Sequence, residues 1–419
     1  MEITQIIDTI VKIVFSEMPS INTGNIEIHS FKYSKNIKTN DDIGKLHTNP
    51  SISIIGHDNV TEYYKYIQML YLKMKIADKR ISLKYFQRAI EQLFFEKEFN
   101  EDRIKKEIST FKPKLFHHFA KIYGVNIKEK IVNLGKFTFV NKEYLADYIK
   151  KEIKPISDDI DFNRLQESAL NKKGEDSNYI FLHVSYEVCD SDFCKSSFDS
   201  DHSRVINVLR YMAGVKHNRV YIDSKQFRVY ADHYYQFDSN GKLSGGMHIN
   251  RKDIPVEILS EYFDNKENGN YYIWEILSKD ANSSFEERIT KSIDWIGISI
   301  SEDDEAIAKT ELAFAFECLL KIDEYSPIMP SIQSHIAESI AFLIGKNCDE
   351  RKQIVKDFKD FYSYRSSVAH GVKKESSLDY YKYLYMFKDT LSSILTNEKY
   401  RSFTHINDLF DDLGSYKFR

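Results

Sequence analysis

An arginine and a histidine near the C-terminal end of this chain have the types and the spacing needed for acid–base chemistry. Arg365 and His370 stand five positions apart at the close of an amphipathic helical pattern, and Gly371 follows the histidine directly. A glycine in this place is typical of a left-handed residue that ends a helix. A histidine there can act as an acid or a base near neutral pH.

Together the two residue types can cleave RNA without a metal ion. Arg365 stays protonated, and its planar fork of donors fits a phosphate, so it can stabilise the charge that builds on the phosphorus. His370 can assist attack by the 2′-hydroxyl group or protonate the leaving 5′-oxygen. Ser366 can add a hydrogen bond, while Lys373 and Lys374 form a small basic rim beyond the glycine.

The spacing alone is a weak signal, because the sequence contains three pairs in which four to six residues separate an arginine from a following histidine. The other two are Arg210 with His217 and Arg228 with His233. The first is interrupted by Gly214, a predicted helix end, and the second falls in a strand pattern. The third pair differs because it closes a helix in an all-helical region.

Helix geometry limits how the third pair can work. Residues five apart on a helix point about 140° away from each other, so Arg365 and His370 do not share a face. They converge best if the helix ends at the histidine, or if a second copy of the chain faces the first. A purely structural alternative stays open, in which Arg365 pairs with Asp360 or Asp379 and His370 only caps the helix.

Three segments of the chain resemble the HEPN superfamily of ribonucleases, in its Apea-like branch. The segment Arg365-Ser-Ser-Val-Ala-His-Gly371 is similar to the branch's R-S-x-x-x-H-G signature, which follows a tyrosine such as Tyr362 or Tyr364. The segments Arg288-Ile-Thr-Lys-Ser-Ile-Asp-Trp295 and Ala313-Phe-Ala-Phe-Glu-Cys-Leu-Leu320 are similar to its first two helices.

The resemblance covers about residues 285–396 and implies a HEPN-type bundle, homodimerisation through that bundle and metal-independent RNA cleavage. The cleaved ends would carry 2′,3′-cyclic phosphates. It implies the following residue roles: catalysis by Arg365 and His370, RNA binding or support by Ser366 and Tyr364, and structural support, for example of the arginine, by Glu317. Many members act as toxins or in anti-phage abortive infection, so tRNA or mRNA targets and a phage-derived trigger are expected.

A second function stays open beside the nuclease. The bundle can equally be a catalytically silent HEPN module for dimerisation or nucleotide binding in a regulatory or interaction protein. A large region before a C-terminal HEPN domain is the layout of a sensor or recruiter attached to an effector, by analogy of architecture.

Composition sets the broader limits. The chain has 419 residues, 42% of them hydrophobic and 29% charged, which is typical of a globular protein with two or three domains. A net charge of −4 provides no overall basic field, so RNA contacts must come from a local patch. The chain has four cysteines, no signal-peptide pattern and no apolar run of about 20 residues. We therefore expect a cytoplasmic protein without membrane association.

The few cysteines do not predict a metal site. Cys189 and Cys194 lie near His202, but their spacing falls outside the usual range for zinc and no second cysteine pair follows. Neither a metal nor a cofactor is predicted.

The periodic patterns predict an α+β N-terminal region followed by an all-α helical bundle, and the resemblance implies that this bundle is of the HEPN type. Three regions are expected: a mainly helical region at 1–153, an α+β region at 154–282 that opens with a polar linker at 154–178, and a helical nuclease domain at 283–419. Helices are predicted at 2–18, 60–77, 80–99, 101–123, 143–151, 202–213, 284–300, 304–322, 331–344, 350–370 and 377–395, before a polar tail. Strand–turn structure is predicted at 132–140, and strands are predicted at 179–188, 220–223 and 227–237.

Overall fold

A computed structural model of the chain describes residues 1–16, 57–95, 99–152, 178–216, 221–225, 231–237, 243–249, 255–322, 331–371 and 378–415. The chain forms two compact units. The smaller consists of Met1–His118 and Ser185–Phe198, and the larger of Phe119–Val184 and Asp199–Arg419. The boundaries of these two units differ from the predicted boundaries at residues 153 and 282. That the three predicted regions fold as separate domains stays a prediction. The predicted linker lies almost wholly outside the described residues.

The smaller unit contains four α-helices whose apolar stripes meet in one core. They are α1 (Ile3–Ser16), α2 (His57–Lys73), α3 (Leu83–Phe95) and α4 (Glu101–Ser109). A 3₁₀ helix at Ile76–Lys79 joins α2 to α3. Buried side chains from all four helices form the core: Ile6, Ile10, Ile67, Leu70, Phe86, Ile90 and Ile104. The helices predicted at 2–18, 60–77 and 80–99 are confirmed, although α2 begins three residues earlier than predicted and the other described ends lie inside the predicted ones.

The predicted helix at 101–123 is wrong in its second half. Helix α4 is capped by Asn100, whose side chain accepts a hydrogen bond from the Arg103 backbone N–H. After the helix, strand β1 (Lys114–Tyr123) lies beside strand β5 (Tyr179–Val188) in a four-stranded sheet of order β1-β5-β4-β3. A partner strand distant in sequence overrides the local helical preference. His117, predicted on a helix, therefore lies on a strand.

The larger unit holds most of the β-structure. Its other elements here are β2 (Val125–Asn126), β3 (Ile131–Leu134), β4 (Phe137–Asn141), α5 (Leu145–Glu152), β6 (Ala231–Phe237), β7 (Leu243–Ile249) and β8 (Val256–Glu257). Strands β3 and β4 form an antiparallel hairpin in which Leu134 pairs with Phe137. Gly135 in the turn has a φ of 58°, which glycine adopts without strain. The predictions at 132–140 and 179–188 are confirmed.

The long helix α6 (Ser191–Ala213) begins well before the predicted start at residue 202. Asp190 explains the earlier start, because its carboxylate accepts a hydrogen bond from the Phe193 backbone N–H and caps the first turn. The helix ends at Gly214, as predicted, with a φ of 62° at that glycine.

Three further predictions in this region have different outcomes. In place of the strand at 220–223, the described residues form only an isolated bridge between Tyr123 and Asp223. Strand β6 confirms the later part of the strand predicted at 227–237, whose first residues lie outside the described structure. The helix predicted at 143–151 is confirmed by α5.

From residue 284 onward the regular structure of the described residues is entirely helical. After α7 (Ser260–Phe263) and α8 (Asn270–Ser278) come α9 (Ser284–Ser301), α10 (Glu305–Leu320), α11 (Ile332–Ile344), α12 (Cys348–Ala369) and α13 (Tyr380–Thr396). These last five confirm the five predicted helices. Each begins at a residue whose side chain accepts a backbone N–H: Ser283, Asp304, Ser331, Asn347 and Asp379.

The predicted polar tail is wrong. Two more helices follow, α14 (Glu398–Arg401) and α15 (Ile406–Ser415). Ile406, Leu409 and Leu413 are buried on one face of α15, at a spacing that brings them together on a helix.

An aromatic core holds α12 in the bundle. Phe316 of α10 contacts Phe358 of α12 with ring centroids 5.0 Å apart, and Phe387 of α13 at 5.2 Å. Phe361 of α12 stacks on Tyr383 of α13 at 4.3 Å. The inner face of α12 is therefore fixed by two helices, while its last turn extends to the candidate site.

Candidate functional site

The end of helix α12 has the geometry that the sequence predicts. His370 is the C-cap residue, and its backbone N–H donates to the Ser366 carbonyl oxygen at 3.1 Å. The N–H of Gly371 donates to the Val368 carbonyl oxygen at 3.0 Å, and Gly371 has a φ of 77°. The helix therefore ends at the histidine in a left-handed glycine.

The side chain of Arg365 packs toward α10, where it meets a carboxylate. Its Nη2 atom lies 3.1 Å from Oε1 of Glu317, and the two side chains are 21% and 18% exposed. The same carboxylate oxygen accepts a 2.8 Å hydrogen bond from the hydroxyl group of Tyr362. The partner of Arg365 is thus Glu317 rather than Asp360 or Asp379.

Two aromatic rings flank the guanidinium group of Arg365. Its carbon lies 4.9 Å from the ring centroid of Phe314 and 5.5 Å from that of Tyr362. Such contacts are favourable because the ring face is electron-rich. The Nε atom is buried and has no hydrogen-bond partner among the described residues. These contacts hold the Arg365 guanidinium in place and leave its Nε donor without a hydrogen-bond acceptor among the described residues.

Tyr362 serves this site as a hydrogen-bond donor. Burial, together with the hydrogen bond to the Glu317 carboxylate, raises the pKa of Tyr362 to about 12. The phenol is therefore neutral at physiological pH and donates its proton to Glu317. This leaves Tyr362 as a positioning residue for the carboxylate.

The other predicted site residues occupy different surroundings. His370 is exposed and Ser366 is half-buried. Tyr364 is only 7% exposed, with the Nζ atom of Lys309 5.4 Å from its ring centroid, so it packs inside the bundle and has no face open to a base. Lys373 and Lys374 lie outside the described residues.

Arg365 and His370 lie in different surroundings. Arg365 faces α10, and His370 lies at the exposed end of α12. Within the described structure, no hydrogen bond or ion pair joins the two side chains, although the helix ends at the histidine. Positions five apart on a helix point about 140° away from each other.

The region around Cys189 is organised by hydrogen bonds within the protein. Asp190 accepts from the Ser82 backbone N–H at 2.8 Å as well as from Phe193. Burial, and secondarily the charge of Asp190, raises the pKa of both the Cys189 and the Cys194 thiols. The described residues contain no group of three or more His, Cys, Asp or Glu that can hold a metal ion.

Phe314 and Tyr362 are the site residues that sequence reasoning did not select. In the sequence, Phe314 is not distinguished from the other apolar residues of a buried helix. Either Tyr362 or Tyr364 can match the tyrosine that precedes the family's signature. A usable signal exists, because Phe314 and Glu317 are three positions apart and must share a helix face. A residue that pairs with Glu317 therefore also meets Phe314.

The left-handed end of α12 gives a stability prediction. Replacing Gly371 with alanine places a Cβ atom in a backbone conformation that costs about 1–2 kcal/mol. No described atom lies within 4 Å of that Cβ position, so the cost is backbone strain without a clash. We expect Gly371→Ala to lower the free energy of unfolding by about 1 kcal/mol in urea denaturation.

Gly414 provides the matched control for this prediction. It also has no described atom near an added Cβ, but it lies within helix α15 with no positive φ. Gly414→Ala is therefore expected to be neutral or to stabilise by up to about 1 kcal/mol. Equal destabilisation by both substitutions contradicts the assignment of strain to Gly371.

Comparison with known proteins places the chain in no family. No protein-family model matches the sequence, and neither the curated proteins nor the solved structures contain a significant match. In the described part of the chain, no helix is both long enough and apolar enough to cross a membrane.

Proposed function

We propose that this protein is a metal-independent endoribonuclease of the HEPN type. The observation that carries the proposal is the end of α12, where a positioned Arg365 and an exposed His370 lie on one helix that closes at Gly371. Arginine and histidine supply the charge stabilisation and the proton transfer that RNA cleavage requires. The regular structure of the described residues around them is helical, which fits the mostly helical domain that the resemblance implies.

In the proposed reaction, the 2′-oxygen of a ribose attacks the adjacent phosphorus while the bond from phosphorus to the 5′-oxygen breaks. His370 assists by taking the 2′-hydroxyl proton or by giving a proton to the leaving 5′-oxygen. Arg365 binds the phosphate oxygens, on which negative charge builds. The products are a 2′,3′-cyclic phosphate and a free 5′-hydroxyl group, with no net oxidation or reduction.

The active form in this proposal is a homodimer. Positions five apart on a helix point about 140° away from each other, so a complete site is more readily formed between α12 of one copy and α12 of a second copy. A cytoplasmic role in anti-phage or toxin-like abortive infection fits an enzyme that attacks tRNA or mRNA. The N-terminal residues then sense a phage-derived trigger or recruit the RNA.

The test is an RNA cleavage assay with purified protein in excess EDTA. We expect total RNA or tRNA to be cut in the presence of the chelator, with 2′,3′-cyclic phosphate ends. Resistance of all RNA substrates, with and without phage components, contradicts the proposal. Cleavage that requires added Mg²⁺ contradicts its metal independence.

The contacts of Arg365 also favour a second candidate function. Its guanidinium is engaged by Glu317, Phe314 and Tyr362 inside one chain, which is what a purely structural arginine in a catalytically silent dimerisation or nucleotide-binding module requires. In that case the variants Arg365→Ala and His370→Ala, if folded, keep the cellular phenotype of the wild type. Loss of the phenotype in His370→Ala supports the nuclease and contradicts the catalytically silent module.

A further inference from the structure

A groove lies between helices α9 and α10 and shares two residues with the surroundings of Arg365. Its volume is about 770 Å³. One wall comes from α9 and the other from the second half of α10 with the two residues that follow it. Phe314 and Glu317, which hold Arg365, also line the groove. The groove therefore borders the residues that hold Arg365.

The apolar part of the groove is aromatic. Trp295 of α9 and Phe314 of α10 contact each other with ring centroids 5.1 Å apart and a tilt of 58°. Both side chains are half-buried, so each presents part of its ring to the groove. Flat, partly exposed rings are the surfaces on which unpaired bases stack.

The walls of the groove carry three cations. Arg288 is fixed by hydrogen bonds from its Nη1 atom to the carbonyl oxygens of Cys318 and Lys321, at 3.1 and 2.9 Å. Lys291 has a side chain that is 65% exposed and lies 3.6 Å from Glu287. Lys321 is the third.

Two carboxylates line the groove as well, so three cations stand against two anions. Glu317 is shared by Arg365 and Tyr362, and Glu287 faces Lys291 one helical turn away. In a chain with a net charge of −4, a lining with more cations than anions around half-buried rings is a small, locally positive patch. Such a patch is what an overall acidic protein needs to bind nucleic acid.

From this arrangement we infer that the groove binds single-stranded RNA next to the scissile phosphate. Trp295 and Phe314 stack on bases, and Lys291, Lys321 and Arg288 contact the phosphates. A duplex is excluded as the occupant because its bases already stack on one another and do not present free faces. The inference rests on the proposed function, since it supplies the substrate path to Arg365.

The test measures RNA binding by the full-length chain in a His370→Ala background, in which the RNA is not consumed. The probe is a fluorescein-labelled single-stranded oligouridine about 12 nucleotides long, followed by fluorescence anisotropy at several salt concentrations. We expect Trp295→Ala to weaken binding about tenfold. Trp295→Tyr should retain most of the affinity, because tyrosine also stacks.

The lysine variants provide an independent readout that does not depend on the packing of the tryptophan. Lys291→Ala and Lys321→Ala should each weaken binding and reduce the dependence of log Kd on log salt by about 0.7. Lys352→Ala removes an equally exposed lysine from the start of α12, 3.7 Å from Asp349, and should leave the affinity and the salt dependence unchanged.

The outcomes of these measurements test RNA binding in the groove separately from RNA cleavage. Unchanged affinity and salt dependence in all three groove variants overturns the groove proposal, even if the wild type cleaves RNA. A shift of Trp295→Ala from dimer to monomer with unchanged RNA affinity also overturns it, in favour of a second copy as the occupant. Weakened binding in these variants beside a wild type that cleaves no RNA supports the groove and rejects the proposed nuclease.

Discussion

Replacing His370 with alanine is expected to reduce RNA cleavage by about 10²- to 10⁴-fold, the usual contribution of a general acid or base. The substitution should leave the fold intact, because the side chain of His370 is exposed. The helix end itself depends on the backbone N–H groups of His370 and Gly371, which remain in the variant. Loss of activity in this variant therefore reports on chemistry rather than on stability.

The measurement is the initial rate of RNA cleavage in EDTA, together with growth of cells that express each variant. His117→Ala is the matched control, since it removes a histidine from the smaller unit and should cleave at the wild-type rate. If His370→Ala retains wild-type cleavage and toxicity, the assignment of His370 as acid or base is wrong.

Arg365 is a less direct probe of the same chemistry. Arg365→Ala removes the partner of a mostly buried Glu317 carboxylate, so activity and stability fall together. Arg365→Lys keeps the charge but loses the planar fork that binds two phosphate oxygens. Comparison of the two substitutions with His370→Ala separates the support of the helix from the binding of phosphate.

The largest effect on stability is expected at Phe316. Phe316 is fully buried, and its ring contacts Phe358, Phe361 and Phe387 from two other helices. Removal of a buried phenylalanine side chain leaves a cavity that the neighbouring rings cannot fill, at a cost of about 3–5 kcal/mol. Since Phe358 and Phe361 belong to α12, the helix of the candidate site loosens as well.

The check is urea-induced unfolding of Phe316→Ala followed by circular dichroism. Tyr385→Ala is the matched aromatic substitution, because Tyr385 lies on α13 with 56% of its surface exposed. The tyrosine variant should change the unfolding free energy by less than about 0.5 kcal/mol. A Phe316→Ala variant as stable as Tyr385→Ala contradicts the aromatic core as the support of α12.

Helix ends in the C-terminal part of the chain were predictable because their signals are local. Ser283 and Glu286 form a reciprocal capping box, and Asn347 accepts the backbone N–H groups of the next turn. Gly371 ends α12 by its own conformational freedom. These interactions connect residues a few positions apart, so a single sequence contains the information for them.

Strand β1 was missed for the opposite reason. The segment Lys114–Tyr123 is half-buried along most of its length, without the alternation that marks a strand, and its partner β5 is distant in sequence. Helix α15 is a different kind of miss. The spacing of Ile406, Leu409 and Leu413 was present, but acidic residues between them made the segment look like a polar tail.

At the candidate site, the sequence predicts the helix end better than the surroundings of the arginine. The cap at Gly371 depends on adjacent residues, whereas the contacts of Arg365 come from α10, about fifty positions earlier in the chain. The family resemblance pointed to Glu317, but Phe314 and the orientation of Tyr362 follow only from how α10 and α12 pack. The way in which two helices cross depends on the packing of the whole core, so neither segment alone predicts it.

The contrast between the two tryptophans gives this chain a built-in optical probe. Trp274 is only 1% exposed, and its indole N–H donates to the Phe263 carbonyl oxygen at 2.8 Å, so its emission should be blue-shifted and insensitive to solutes. Trp295 is half-buried in the groove. The chain contains two tryptophans in total. Quenching by acrylamide or by a stacked base therefore reports on the groove alone, without any label attached to the protein.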